Sequence, residues 1–224
     1  MRTRDAEIQL VAPGTRRYAS GAFPEIVLAV EARPFALESH LGRGLFIHGA
    51  FAHSVGLGSQ TMGTADAVGT NFVRFALGAG WLAPLGDAAE LGLGLAVGYD
   101  GYHLGPNVVL PTAEYVYLRP ALRGRVRIVR EAFVVDAELG YRGVVGLGAI
   151  GPSFGAEAAA HGVDVGVGVG GNLTTVAELG FTWAARFEWV GYFLSFAGNG
   201  TDANAQSGAE SAVRGVLLLG WSFR

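Results

Sequence analysis

Large and small residues alternate along most of the chain. In 89–100, AELGLGLAVGYD, one side of an extended backbone carries Leu91, Leu93, Leu95, Val97 and Tyr99. The other carries Glu90, Gly92, Gly94, Ala96, Gly98 and Asp100. The pattern returns in 176–190, VAELGFTWAARFEWV, where Leu179, Phe181, Trp183, Ala185, Phe187 and Trp189 oppose Glu178, Gly180, Thr182, Ala184, Arg186 and Glu188. A helical stripe through Val176, Leu179, Trp183, Phe187 and Val190 leaves Phe181 and Trp189 without a place, so period two is the better account. The same reading predicts ten strands, at 5–12, 24–38, 44–58, 70–83, 88–100, 113–127, 131–144, 159–170, 175–192 and 209–223, with eight as the alternative count. Short turns sit at ESHLGRG, APLGDA, RIVRE and GGNLT; longer loops fill 13–23, 59–69, 101–112, 145–158 and 193–208. Short turns at one end and long loops at the other describe an up-and-down meander. No shift in composition divides it, so 1–224 reads as one domain.

Composition decides which face is wet. Half the residues are apolar, 16% are charged and 36 are Gly, whereas a soluble domain carries about a quarter charged residues. The face opposite the large residues is mostly Gly and Ala with isolated Arg, Asp and Glu. Such a face makes a poor water-exposed surface but a good lining for a narrow lumen. The large residues then face lipid, and the fold class is an all-β antiparallel transmembrane β-barrel. The aromatics agree: Trp81, Trp221 and Phe223 fall near the short turns, Tyr99, Tyr141 and Trp189 near the long loops, and Trp183 completes the set. Two girdles bounding an apolar band suit a bilayer with two wet interfaces. A β-sandwich or a soluble lipocalin-like binding barrel is the opposite reading, with the large residues inside.

In the membrane reading the lumen holds Glu31, Arg33, Arg74, Glu90, Arg119, Arg123, Asp136, Glu138, Arg142, Asp164, Glu178, Arg186, Glu188 and Arg214. Every basic side chain of the protein is Arg, which forms forked ion pairs where Lys prefers open water. Unpaired charge is costly in a narrow barrel, so crossed Arg–carboxylate pairs filling the interior are expected. The net charge of -3, with no basic patch, gives no reason to expect a nucleic-acid partner. Cys is absent, which removes disulfides and thiolate metal sites; no metal or cofactor is implied. DANAQSGAE only loosely follows a calcium loop, with its Gly one position late. The opening MRTRDAEIQL lacks an apolar signal region.

DVGVGVGGN, 164–172, matches G-x-G-x-x-G letter for letter, but a dinucleotide site needs a helix after the turn. Here Val163, Val165, Val167 and Val169 form one face, Gly166, Gly168 and Gly170 line the other beside Asp164, and Gly171-Asn172 makes a turn into another strand. Candidate chemistry is confined to the long-loop ends: His53 with its neighbour Ser54, Asp100, His103 and His161. His53 and Ser54 point to opposite faces and cannot form a nucleophile–base pair within one strand. Asp100 with His103 or His161 would be the pair that activates water.

The last strand, AVRGVLLLGWSFR, alternates Val213, Leu217, Leu219, Trp221 and Phe223 and ends on an aromatic, with Arg224 after it. This resembles the C-terminal signature of bacterial outer-membrane β-barrel proteins, and the whole meander resembles the small barrels of the outer-membrane protein A and X type. The resemblance implies the bacterial outer membrane as location, with lipid and lipopolysaccharide around the barrel. It further implies recognition of the last strand by the barrel-assembly machinery, and a monomer. The function expected from these observations is non-enzymatic: a charged, filled barrel presenting long loops for structure, adhesion or surface protection. A small passive pore and a rim-site outer-membrane hydrolase are the alternatives.

Overall fold

The structure, a computed structural model, describes residues 1–35, 41–60, 67–105, 110–129, 132–176 and 179–223. The strands are β1 (Arg2–Leu10), β2 (Thr15–Phe23), β3 (Glu25–Ala32), β4 (Leu45–Ser54), β5 (Gly58–Gln60), β6 (Ala67–Leu85), β7 (Ala89–Leu104), β8 (Ala113–Val129), β9 (Phe133–Gly146), β10 (Glu157–Val176), β11 (Leu179–Ala197) and β12 (Ala205–Phe223). A single helical turn, α1 (Ile150–Phe154), joins β9 to β10, and a 3₁₀ turn, Leu41–Gly44, precedes β4.

Eleven of the strands share one antiparallel sheet in the order β2-β1-β12-β11-β10-β9-β8-β7-β6-β4-β3, and β5 pairs with β6 beside it. The two ends of this path, β2 and β3, are consecutive parts of one run of chain broken at Pro24. The sheet therefore curls back on itself through that run. Proline has no N–H for a ladder, so it suits the point where the chain leaves one neighbour for another. Phe23 is the last residue of β2 to pair with β1, and Glu25 is the first of β3 to pair with β4. Interior contacts span the curl: Arg74 of β6 reaches Glu188 of β11 at 3.1 Å, and Tyr115 of β8 reaches Glu210 of β12 at 2.7 Å.

Five sequence-based segments are corrected. Segment 13–23, expected as a loop, contains β2. Its outward residues, Arg17 and Ala19 among them, lie where the outer wall is polar, so the apolar alternation that marks the other strands is missing. The strand expected at 24–38 stops at Ala32. Gly171 and Asn172 lie inside β10, which slips register between Asn172 and Thr174 instead of turning. The loops expected at 101–112 and 193–208 are shorter, because β7 and β11 continue to Leu104 and Ala197 and β12 starts at Ala205. β6, β11 and β12 each span 19 residues, where a bilayer needs about 9–11. Much of each long strand therefore stands outside the hydrocarbon.

The wall changes character halfway up. Below, towards the short turns, the outer face is apolar: Leu91, Leu93, Leu95 and Val97 of β7, Leu217 and Leu219 of β12, and Ile26, Leu28 and Val30 of β3 are exposed. Above, the outer face carries Thr3, Asp5, Glu7, Gln9 and Arg17, while Ile8, Tyr18, Phe72, Tyr102, Leu110, Tyr115, Ile150, Phe154, Tyr192, Leu194 and Phe196 are buried within. Sidedness inverts inside single strands. On β11, Phe187 and Trp189 point out, whereas Val190, Tyr192, Leu194 and Phe196 point in. On β8, Tyr115 and Tyr117 point in, whereas Leu118, Leu122 and Val126 point out.

Candidate functional site

Three layers fill the interior. The upper layer is the apolar and aromatic core, closed at the long-loop end by α1, with Phe154 edge-on to Phe196 and Tyr115 stacked on Tyr192 at 4.1 Å. Below it lies a belt of ion pairs. Arg74 and Asp100 face each other across the β6–β7 ladder and make a forked pair at 2.8 and 3.0 Å. Arg142 joins Asp100 to Asp164 at 2.8 Å each, and Arg119 joins Asp164 to Glu138. Arg186 reaches Glu138, Asp136 and Glu188 at 2.9, 2.7 and 3.0 Å. Glu188 binds Arg74 and Arg214, Arg214 binds Glu25, and Glu25 binds Arg2. Arg4 makes a forked pair with Glu210, both bonds 2.8 Å. The belt thus holds seven arginines (2, 4, 74, 119, 142, 186, 214) and seven carboxylates (25, 100, 136, 138, 164, 188, 210). Arg2 and Arg4 also lay their guanidinium faces on Phe72 and Tyr102, 4.0 and 3.8 Å from the ring centres.

The third layer is a vestibule at the short-turn end, where Glu31 and Glu90 are shared among Arg33, Arg123, Arg125 and Arg127. Of the fourteen lumen residues named from the sequence, Glu178 lies outside the described residues; the other thirteen face this interior. The lumen set read from the sequence omits Arg2, Arg4, Glu25, Arg125, Arg127 and Glu210, and Asp100, read as a rim group, belongs to the belt. Parity was the available signal: Arg125 and Arg127 continue the phase of Arg123, and Glu210 that of Arg214. Of the aromatic set, Trp81, Tyr141 and Trp221 are exposed on the outer face, and Tyr99, Trp183 and Trp189 are partly exposed there. Phe223 ends β12, and its side chain lies outside the described residues.

The glycines on the inner face make room for the belt. A Cβ on Gly166 would lie 2.5 Å from the Arg186 guanidinium, and one on Gly140 would lie 2.6 Å from Nε of Arg119. DVGVGVGGN is therefore wall: Asp164 belongs to the belt and its glycines clear the way for arginines.

The rim pair read from the sequence is corrected as well. Asp100 is fully buried between Arg74 and Arg142, while His103, three residues on, points out of the barrel. An odd spacing along a strand puts two side chains on opposite faces. His161 lies on the outer face stacked between Tyr141 and Phe193, at 6.4 and 5.5 Å. Ser54 is turned inward, accepting from the Phe72 amide at 2.9 Å, apart from His53.

His103 instead meets Glu114 and Tyr99 outside the wall. Tyr99 donates its hydroxyl to Glu114 Oε1 at 2.8 Å, His103 Nε2 lies 3.2 Å from the Tyr99 oxygen, and His103 Nδ1 lies 4.0 Å from Glu114 Oε1. Gly101 pairs with Glu114 in the β7–β8 ladder, and Tyr99 and His103 flank Gly101 on the same face. A Cβ on Gly101 would fall 2.4 Å from the Tyr99 hydroxyl, so glycine there lets the three side chains close over the backbone. The cluster stands where the apolar band of β7, Leu91 to Val97, gives way to polar wall, and His103 is 42% exposed at its side chain.

No family model matches the chain, and no curated protein matches it. Among solved structures, it resembles the crystal structure of the outer-membrane protease OmpT from Escherichia coli, with TM-score 0.52 over 99% of this chain and 92% of that one, at 13% identity. The chain has the fold of an outer-membrane β-barrel. At that identity the likeness speaks for the fold; nothing in it selects the A and X type. It also corrects the functional expectation. The barrel whose fold this chain shares over nearly its whole length is an enzyme, so the architecture gives no support to a non-enzymatic role, and that reading is withdrawn.

Proposed function

We propose that the protein is an outer-membrane hydrolase whose reactive group is His103, on the outer face of the barrel at the upper margin of the apolar band. The observation that carries this reading is the contact of His103 with Tyr99 and Glu114. With its hydroxyl proton given to Glu114, the Tyr99 oxygen accepts from His103 Nε2–H. That tautomer leaves Nδ1 unprotonated as the base. Water gives a proton to Nδ1 as its oxygen adds to an ester or amide carbonyl. The carbon–leaving-group bond then breaks, and the proton passes from the imidazolium to the leaving group. Glu114 stabilises the imidazolium, and Tyr99 holds the ring; both are positioning residues.

The location of the cluster favours an amphiphilic substrate. The interior mouth is filled by α1 and the aromatic core, whereas His103 is open to molecules lying in the upper interface of the bilayer. An outer-membrane location, with lipopolysaccharide around that margin, belongs to the same proposal. The likeness of the last strand to the C-terminal signature of outer-membrane β-barrel proteins bears on assembly, not on chemistry.

The test is hydrolysis of lipid A, phospholipid and peptide substrates by the detergent-folded protein. Replacing a general base costs about 10²–10⁴-fold, so His103→Ala is expected to lose activity by that factor while still migrating as a folded barrel on unheated gels. Glu114→Gln is expected to retain part of the rate. Absence of hydrolysis of all three substrates, or an unchanged rate in His103→Ala, would refute the proposal.

A further inference from the structure

The charge balance of the interior is uneven. In the belt, seven arginines meet seven carboxylates. In the vestibule, four arginines share two, which leaves two excess positive charges among the described residues of the short-turn mouth. This local sign opposes that of the whole chain, which is -3.

Buried donors without acceptors occur in both layers, in the belt at Nε of Arg2, Nη1 of Arg4, Nη2 of Arg214 and the Tyr102 hydroxyl. Nε of Arg123 and Nε of Arg125 are buried with no acceptor, as is Nδ1 of His48, which lines the same cavity. Arg125 holds Glu31 only at 3.5 Å, against 2.6 Å for Arg123. A buried N–H left without an acceptor is costly. In the belt, Arg2 and Arg4 offset this by lying on aromatic rings; in the vestibule Arg123 is 5.3 Å from the Phe46 ring centre. The open part of the lumen has a volume of about 900 Å³ and is lined by Arg123, Arg125, Arg127, His48 and Glu31, along with belt residues. That falls within the range of small-molecule sites, about 300–1,000 Å³, and is far more than a bare anion fills.

We infer that the vestibule binds a small organic phosphate, with the phosphate dianion between Arg123 and Arg125 and the rest of the molecule in the open lumen. Two negative charges cancel the excess of two on the four vestibule arginines, and phosphate oxygens accept from guanidinium N–H groups in the forked geometry that guanidinium offers. This site is separate from His103, which lies on the other side of the wall.

Calorimetric titration of the detergent-folded full chain tests it, with glucose 6-phosphate as the probe and glucose as the neutral control at fixed ionic strength. Saturable binding of the phosphate ester and none of glucose is expected. Losing a charge-assisted bond costs about ten- to a hundred-fold in affinity, so Arg125→Gln is expected to weaken binding by that factor. Arg17→Gln, on the outer wall, is expected to leave it unchanged. No saturable heat with the wild-type protein overturns the inference without any variant. Equal binding of glucose, or an undiminished affinity in a folded Arg125→Gln protein, overturns it too.

Discussion

The upper and lower halves of this barrel are built from the same strands and are opposite in sidedness. Below, Leu and Val face out and Arg, Asp and Glu face in. Above, Asp5, Glu7, Gln9 and Arg17 face out, and Tyr, Phe, Leu and Ile fill the middle. The backbone does not change between them; the solvent does. In the membrane the outside must be apolar, so the polar residues that knit the interior can only be paired ions. In water the outside is polar and the interior is an ordinary hydrophobic core. On β11 the inward side chains change from charged to aromatic between Glu188 and Tyr192, and on β8 between Arg119 and Tyr117.

Substitutions can break that comparison. The largest effect is expected at Asp100→Ala, which strands Arg74 and Arg142 as buried cations. Removing one partner of a buried pair costs about 3–5 kcal/mol, so the denaturant midpoint of the folded barrel should fall steeply. Next is Leu93→Arg, on the lower outer face. An arginine facing lipid near mid-bilayer costs about 2–4 kcal/mol, and folding into vesicles should report it. The matched change above the margin, Gln9→Arg, should stay within about 0.5 kcal/mol, as surface changes do. Equal penalties at Leu93 and Gln9 would sink the two-solvent account. Gly166→Val puts carbon where the Arg186 guanidinium lies. Overpacking costs about 1–3 kcal/mol, and the unfolding midpoint should fall while strand content by circular dichroism is kept. The smallest effect is expected at Arg17→Ala, whose exposed pair with Asp5 should leave the unfolding midpoint unmoved.

The same contrast explains what the sequence disclosed. In the lower half one face of each strand is apolar and the other small or charged, so period two stands out. Arg74, Arg119, Arg142 and Asp164 could be assigned to the interior by parity alone. In the upper half the phase reverses. A reader following Trp183, Phe187 and Trp189 meets Tyr192, Leu194 and Phe196 on the wrong beat and ends the strand early. β2 reads as a loop for a related reason: its outward residues, Arg17 and Ala19 among them, carry no apolar alternation. The His103 cluster was less legible still. His103 was a candidate, but Glu114 and Tyr99 join it only through the β7–β8 register, which a single sequence does not display.

Every arginine and carboxylate of the belt is borne by a strand of the wall or, at Glu25, by the residue that opens β3. The belt therefore has no hinge among the described residues and no segment that could swing aside as a gate. A wider water path through it requires belt side chains to leave their ion pairs, because no loop or helix of the described residues can carry them aside. The permeability of this barrel is thereby coupled to the breaking of buried Arg–carboxylate pairs.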